Sequence, residues 1–208
     1  MRVKICGITN LEDALHAAES GADALGFIFV DSSARKISPD TARRIIRELP
    51  PFVVPVGVFA DASNRTIVET AEWTGIRCVQ LHGNETPESC RDLPILSYKA
   101  FHVGDGFDAG ALTRYPGTAF LLDTAVDGMR GGTGITFDWN IARAASAHGR
   151  IILAGGLTPA NIAEAISTAQ PYGVDVNSGV ESAPGKKDPQ KLRELFQNIR
   201  SITGERNN

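Results

Sequence analysis

Residues 151–178, IILAGGLTPANIAEAISTAQPYGVDVNS, contain the unit from which the chain is built. The stretch opens on a short apolar run, Ile151 to Gly155, and turns at Gly155-Gly156. Thr158-Pro159 then stands ahead of Ala160 to Ala169, pairing an N-cap residue with proline at the first helical position. A second apolar run, Val174 to Ser178, closes the unit. Two strands joined through a helix must lie parallel, because only a crossover of that length returns the chain in the same direction.

The same alternation extends in both directions. Further strands are expected over Val3 to Gly7, Ala24 to Val30, Val53 to Phe59, Cys78 to His82, Leu96 to Phe101 and Ala119 to Thr124. Two more helix starts pair a cap with proline: Ser38-Pro39 before Ala42 to Leu49, and Asp188-Pro189 before Leu192 to Ile202. Gly104 to Pro116 carries three glycines and fits a short helix or a loop. Strand starts recur about every 24 residues, which predicts a closed eight-stranded parallel barrel, a small (β/α)8 TIM barrel. The rival is an open doubly wound sheet. That fold usually carries a glycine-rich dinucleotide turn after its first strand, where Cys6-Gly7-Ile8-Thr9-Asn10 stands.

Composition agrees with one compact unit. The 208 residues are 42% hydrophobic and 22% charged, which excludes disorder as the main state. Roughly 70% of the surface of a chain this long can be buried in one core. Two small domains would also fit the length, but no Pro/Ser-rich linker or charge block divides the chain, so residues 1–208 are expected to form a single domain. With 21 basic and 24 acidic residues interspersed and a net charge of −3, nucleic acid has no electrostatic footprint, and a small-molecule partner is expected. Met1-Arg2-Val3-Lys4 offers no apolar signal core and no 18-residue apolar run occurs, so no membrane partner and a cytoplasmic location are expected. Cys6, Cys78 and Cys90 form no C-x-x-C pair, so neither disulfides nor a metal site is expected.

In such a barrel, chemistry sits where strands end. Strand 1 ends at Cys6-Gly7, strand 2 runs into Ser32-Ser33-Ala34-Arg35, strand 4 ends at His82 and strand 6 at Asp123. Strand 7 ends at Gly155-Gly156 and strand 8 at Asn177-Ser178-Gly179, the positions where these barrels commonly bind phosphate through backbone N–H groups. Each residue alone has a plainer reading: a buried thiol, a turn aspartate, a solvated arginine, a core histidine, turn glycines. Their coincidence at one end of the barrel is what points to a site. Gly131-Gly132-Thr133-Gly134 misses the G-x-G-x-x-G pattern and reads as a mobile loop, Gly131, Gly132 and Gly134 allowing closure over a ligand. Gly179 to Lys187 fails as a P-loop, since Lys187 stands where Ser or Thr is needed.

These segments resemble a known family. Lys4-Ile5-Cys6-Gly7-Ile8-Thr9, Gly26-Phe27-Ile28-Phe29, Val56-Gly57-Val58-Phe59, Gln80-Leu81-His82-Gly83, Leu121-Leu122-Asp123, the Gly131 to Gly134 loop, Leu153-Ala154-Gly155-Gly156-Leu157 and Gly173-Val174-Asp175-Val176 through Gly179-Val180-Glu181 are similar, in order, to phosphoribosylanthranilate isomerase. The resemblance implies a (β/α)8 enzyme of tryptophan biosynthesis. Its reaction is the Amadori rearrangement of N-(5-phosphoribosyl)anthranilate to 1-(o-carboxyphenylamino)-1-deoxyribulose 5-phosphate, without metal or organic cofactor. It further implies Asp123 as general acid, Cys6 as general base and Arg35 on the anthranilate carboxylate. Gly155, Gly156, Ser178 and Gly179 would hold the phosphate, with His82 and Asp175 lining the site. Asn177, Ala34 and Ile135 depart from the family's more usual serine, proline and lysine. The runner-up is the related two-aspartate isomerase of histidine biosynthesis, against which Cys6 argues. A non-catalytic sugar-phosphate sensor would not need both Cys6 and Asp123. Family barrels stand alone or pair, so monomer and homodimer are both open.

Strand alternation adds one expectation. With Val3 and Ile5 facing the helices, Lys4 points inward like Cys6, and a buried ammonium needs a partner. Strand 8 closes beside strand 1, so Asp175 is that partner, and the pair is expected to favour the Cys6 thiolate. The alternative is that Lys4 snorkels to the barrel's lower rim.

Overall fold

The computed structural model describes residues 1–104, 106–117, 119–124 and 137–204. Eight strands pair in chain order: β1 (Arg2–Ile5), β2 (Ala24–Ile28), β3 (Val54–Phe59), β4 (Cys78–Leu81), β5 (Ser97–Val103), β6 (Ala119–Thr124), β7 (Arg150–Leu153) and β8 (Gly173–Val176). β8 returns to β1 in parallel, so the sheet closes and no strand edge is left unpaired. The chain is the expected (β/α)8 barrel.

Among the described residues, seven α-helices lie between or after the strands: α1 (Leu11–Ser20), α2 (Pro39–Arg47), α3 (Asn64–Thr74), α4 (Pro87–Arg91), α5 (Trp139–Ala145), α6 (Ile162–Ala169) and α7 (Pro189–Thr203). The β5 to β6 connection carries a 3₁₀ helix instead, Ala109–Arg114, started by Asp108 accepting from the Gly110 N–H at 2.9 Å. Its glycines explain why neither helix nor loop dominates there. Ser38 and Asp188 cap α2 and α7, each with proline in the first turn. Thr158 does not cap α6, which begins at Ile162. Asn161 spends its side chain on the Thr158 N–H and the Gly156 carbonyl, holding a turn ahead of the helix.

Alternation sorts the side chains. Outward residues such as Ile5, Leu25, Phe27, Phe120, Leu122 and Val174 pack under the helices in the principal core. Inward residues Val56, Cys78, Tyr98, Ala100 and Leu121 fill the barrel itself. Several strands stop short of the expected ends, because Cys6, His82, Ala154 and Asn177 continue the apolar alternation beyond the last ladder pair. Those overhanging residues form the mouth. No helix among the described residues is long and apolar enough to cross a membrane.

Candidate active site

The closing seam builds one side of the mouth. Register sets Lys4 of β1 against Asp175 of β8, both inward, and Lys4 Nζ donates to Asp175 Oδ2 at 2.6 Å, so the expected ion pair is present. Both side chains are only 6% exposed, a setting in which either charge alone would be costly. Burial works against the Lys4 ammonium, but the Asp175 and Cys6 charges outweigh it and hold its pKa above the ordinary lysine value. Cys6 follows on the same strand line, its N–H bonded to the Val176 carbonyl at 2.9 Å. Burial pushes its thiol up and Asp175 pushes the same way, against the pull of Lys4, so the thiol ends above its ordinary value. Lys4 pulls toward thiolate more strongly than Asp175 pushes away, the direction expected of the pair, but desolvation is the stronger effect. Asp175 Oδ1 is buried without a hydrogen-bond partner among the described residues.

The opposite side is held by hydrogen bonds that run through the uncharged Gln80 and Tyr98 side chains. Asp123 at the end of β6 accepts its neighbour Thr124's N–H on Oδ1 at 2.9 Å, and its Oδ2 lies 3.3 Å from His82 Nε2. His82 Nδ1 is 2.7 Å from Gln80 Nε2, and Gln80 Oε1 accepts from the Tyr98 hydroxyl at 3.0 Å. With the Gln80 amide nitrogen turned to the ring, Nδ1 is the acceptor and Nε2 is the nitrogen that faces Asp123. Burial holds the Tyr98 hydroxyl well above its ordinary range, so it stays a donor. His102 of β5 sits beside His82, ring centroids 5.1 Å apart. The ligand atoms of His82, His102 and Asp123 lie within 4.8 Å of one another, the set among the described residues that could hold a metal. A cation there would compete with the contact between His82 Nε2 and Asp123.

Between these sides lies a cavity of about 570 Å³, lined by Cys6, Arg35, His82, Asp123, Gly155, Gly156, Asp175 and Ser178, with Ile28, Val30 and Val58 as an apolar wall. Gly155 has φ +83°, and a Cβ there would stand 2.8 Å from Asp123 Oδ1 and closer still to Thr124. Only glycine lets β7's end approach the β6 carboxylate so closely. Gly179 is not among the lining residues; it packs behind them, with a Cβ forbidden by the Leu157 carbonyl. Gly131, Gly132, Gly134 and Ile135 lie outside the described residues.

Arg35 reaches the cavity already partnered. Glu181 accepts its Nε at 2.9 Å and its Nη2 at 2.7 Å, and Lys187 Nζ donates to the same carboxylate at 3.0 Å. Glu181 and Lys187 belong to a hairpin of β9 (Glu181–Ala183) and β10 (Lys186–Lys187) that follows β8. Sequence reasoning assigned no role to Glu181, Lys187, Gln80 or Tyr98. Gln80 carried a usable signal, a polar residue in phase with His82 on an otherwise apolar strand. The hairpin carried none.

A closed barrel bearing a thiol, a carboxylate, an imidazole and a guanidinium around one glycine-edged cavity defines an enzyme of the (β/α)8 class. The family model of N-(5'-phosphoribosyl)anthranilate (PRA) isomerase matches residues 3–198, and the chain belongs to that family, the isomerases of tryptophan biosynthesis. It is similar to the N-(5'-phosphoribosyl)anthranilate isomerase of Pelobacter propionicus, with 51% identity over 197 residues covering 95% of this chain and 94% of that one. Among solved structures, phosphoribosyl anthranilate isomerase from Thermus thermophilus superposes with a TM-score of 0.90 at 42% identity, covering 97% of this chain and 100% of that one. Another, in complex with reduced 1-(o-carboxyphenylamino)-1-deoxyribulose 5-phosphate, superposes with a TM-score of 0.87 at 44% identity, covering 97% and 99%.

Proposed function

We propose that the chain converts N-(5-phosphoribosyl)anthranilate to 1-(o-carboxyphenylamino)-1-deoxyribulose 5-phosphate, with Asp123 as general acid and Cys6 as general base. The observation that carries this reading is that both side chains line one cavity while approaching from different strands, β6 and β1. Ring opening needs a proton on the furanose oxygen as its bond to C1 breaks. The resulting iminium then loses its C2 proton to a base, giving an enolamine that tautomerises to the ketone. Asp123 is held for its proton transfer by the Thr124 N–H on Oδ1 and by His82 Nε2 beside Oδ2. The base is the Cys6 thiolate, with Lys4 offsetting part of the cost of its charge.

The rest of the cavity suits the remaining parts of such a substrate. Ile28, Val30 and Val58 offer an apolar face for an aromatic ring beside the Arg35 fork, which fits a ring carboxylate. Gly155, Gly156 and Ser178 present backbone and hydroxyl groups to the phosphate, with Gly179 behind them, and His82 and Asp175 line the ribose. The chain is proposed to act as one domain over residues 1–208, in the cytoplasm, without metal or organic cofactor, as a monomer or a homodimer. The test is a fluorescence assay following loss of phosphoribosylanthranilate with the purified protein, repeated in excess EDTA. Turnover unchanged by EDTA is expected; no turnover refutes the function. Light scattering on the gel-filtered protein separates a 22.2 kDa monomer from its dimer.

A further inference from the structure

We infer that Glu181 is the positioning residue that makes Arg35 a receptor for the substrate's ring carboxylate, an inference that rests on the proposed role of Arg35. An arginine has five N–H donors. Glu181 takes the Nε edge, with Nε bonded to both carboxylate oxygens at 2.9 and 3.1 Å and Nη2 to Oε2 at 2.7 Å. Among the described residues this leaves both Nη1 hydrogens and one on Nη2, the end-on edge that can take a second carboxylate in a fork. The guanidinium therefore bridges a carboxylate of the protein and one of the ligand.

The surroundings fix Glu181 as firmly as it fixes Arg35. Burial raises its carboxyl, but the Arg35 hydrogen bond and the Lys187 charge bring it below the usual range, so it is ionised. The Gly185 N–H donates to Oε1 at 3.2 Å and Lys191 Nζ to the Glu181 backbone carbonyl at 2.7 Å. Lys187, its side chain fully buried, spends its three donors on Asn177 O, Asn177 Oδ1 and Glu181, so it has none to give a ligand. Asn177, the departure from serine, thus anchors the lysine that neutralises Glu181. Of the two cations around this carboxylate, only Arg35 keeps free donors among the described residues, and Arg35 lines the cavity.

The test compares two ligands, reduced 1-(o-carboxyphenylamino)-1-deoxyribulose 5-phosphate and the same molecule without the ring carboxylate, by calorimetric Kd. In Glu181→Gln one end of the fork becomes an N–H₂ facing Arg35 Nη2, so the register is lost. The preference for the carboxylated ligand is expected to fall roughly tenfold or more, the size of a lost charged hydrogen bond, with the uncarboxylated ligand little affected. In an Arg35→Ala background the same substitution is expected to change nothing further. A folded Glu181→Gln protein whose preference stays within twofold of wild type overturns the inference while leaving Arg35's role standing. If Arg35→Ala itself leaves the preference intact, the reading of Arg35 fails first and the inference falls with it. Should the Gln variant not fold, Glu181→Asp keeps the charge beside Lys187 but withdraws it from Arg35; an unchanged preference there is equally fatal.

Discussion

The two sides of the mouth are built from opposite materials. Around Cys6 the framework is ionic: Lys4 with Asp175 below, and Arg35, Glu181 and Lys187 across the rim. Around Asp123 it is a hydrogen-bonded string, running from the uncharged Tyr98 hydroxyl and Gln80 amide through the His82 imidazole to the carboxylate. The contrast follows the proposed chemistry. A thiol must acquire charge in a buried place, and only nearby cations offset that cost. A carboxyl acting as acid must keep a proton, and a full positive charge beside it would drive that proton off.

The sharpest way to break the contrast is to remove the reacting groups themselves. Cys6→Ser and Asp123→Asn should each lower kcat by about 10²- to 10⁴-fold with the melting temperature nearly unchanged. Full activity in both would end the assignment. Next comes the ionic framework: Lys4→Met leaves Asp175 buried and uncompensated, which should cost about 3–5 kcal/mol in urea unfolding. The same change removes the one strong pull on Cys6, so pH-dependent alkylation, read at Cys6 by peptide mapping, should show its thiol titrating still higher. Cys78, pushed up to about 11 by burial, supplies an internal comparison in the same digest. An unmoved Cys6 titration would mean the ion pair is structural only.

The hydrogen-bonded side should respond less. Gln80→Leu frees His82 Nδ1 and leaves Tyr98 without its acceptor, a cost of about 1–3 kcal/mol. Activity should fall roughly tenfold through the Asp123 limb of the pH profile, with the Cys6 limb unmoved; equal movement of both limbs would erase the distinction between the sides. The smallest effect belongs to Glu181 in acid. Its folded pKa lies below the unfolded value, so its contribution is complete above about pH 4.3 and fades as pH falls through the folded pKa. Melting curves of wild type and Glu181→Gln should therefore converge below about pH 4; parallel curves would show that the carboxylate is not stabilised by its partners.

How far the sequence reached divides along the same line. Strand ends could be read because alternation carries an inward residue past the ladder, which brings Cys6, His82 and Asp123 into one mouth, and the same alternation plus closure foretells Lys4 against Asp175. Gln80 and Tyr98 are register partners across β4 and β5, so their contact needs a pairing register that apolar pattern alone does not fix. Glu181 meets Arg35 across 146 residues through a short hairpin with no periodic signature. The net Cys6 titration is not legible for another reason: a local cation is visible in the sequence, but the depth of burial opposing it belongs to the whole fold.

The seam between β1 and β8 also governs when the enzyme comes into being. Lys4 finds Asp175 across 171 residues, Thr9 hydroxyl meets the Gly185 carbonyl across 176, and the Lys187 N–H meets Asp13 across 174. A growing chain on the ribosome can pair early strands and cover them with early helices, yet the thiol at residue 6 has no lysine–aspartate floor until residue 175 has emerged. Closing so wide a loop is slow relative to local pairing. Until the last strand pairs with the first, the cavity lacks Asp175, Asn177 and Ser178, so its rim is completed only at the end of the chain.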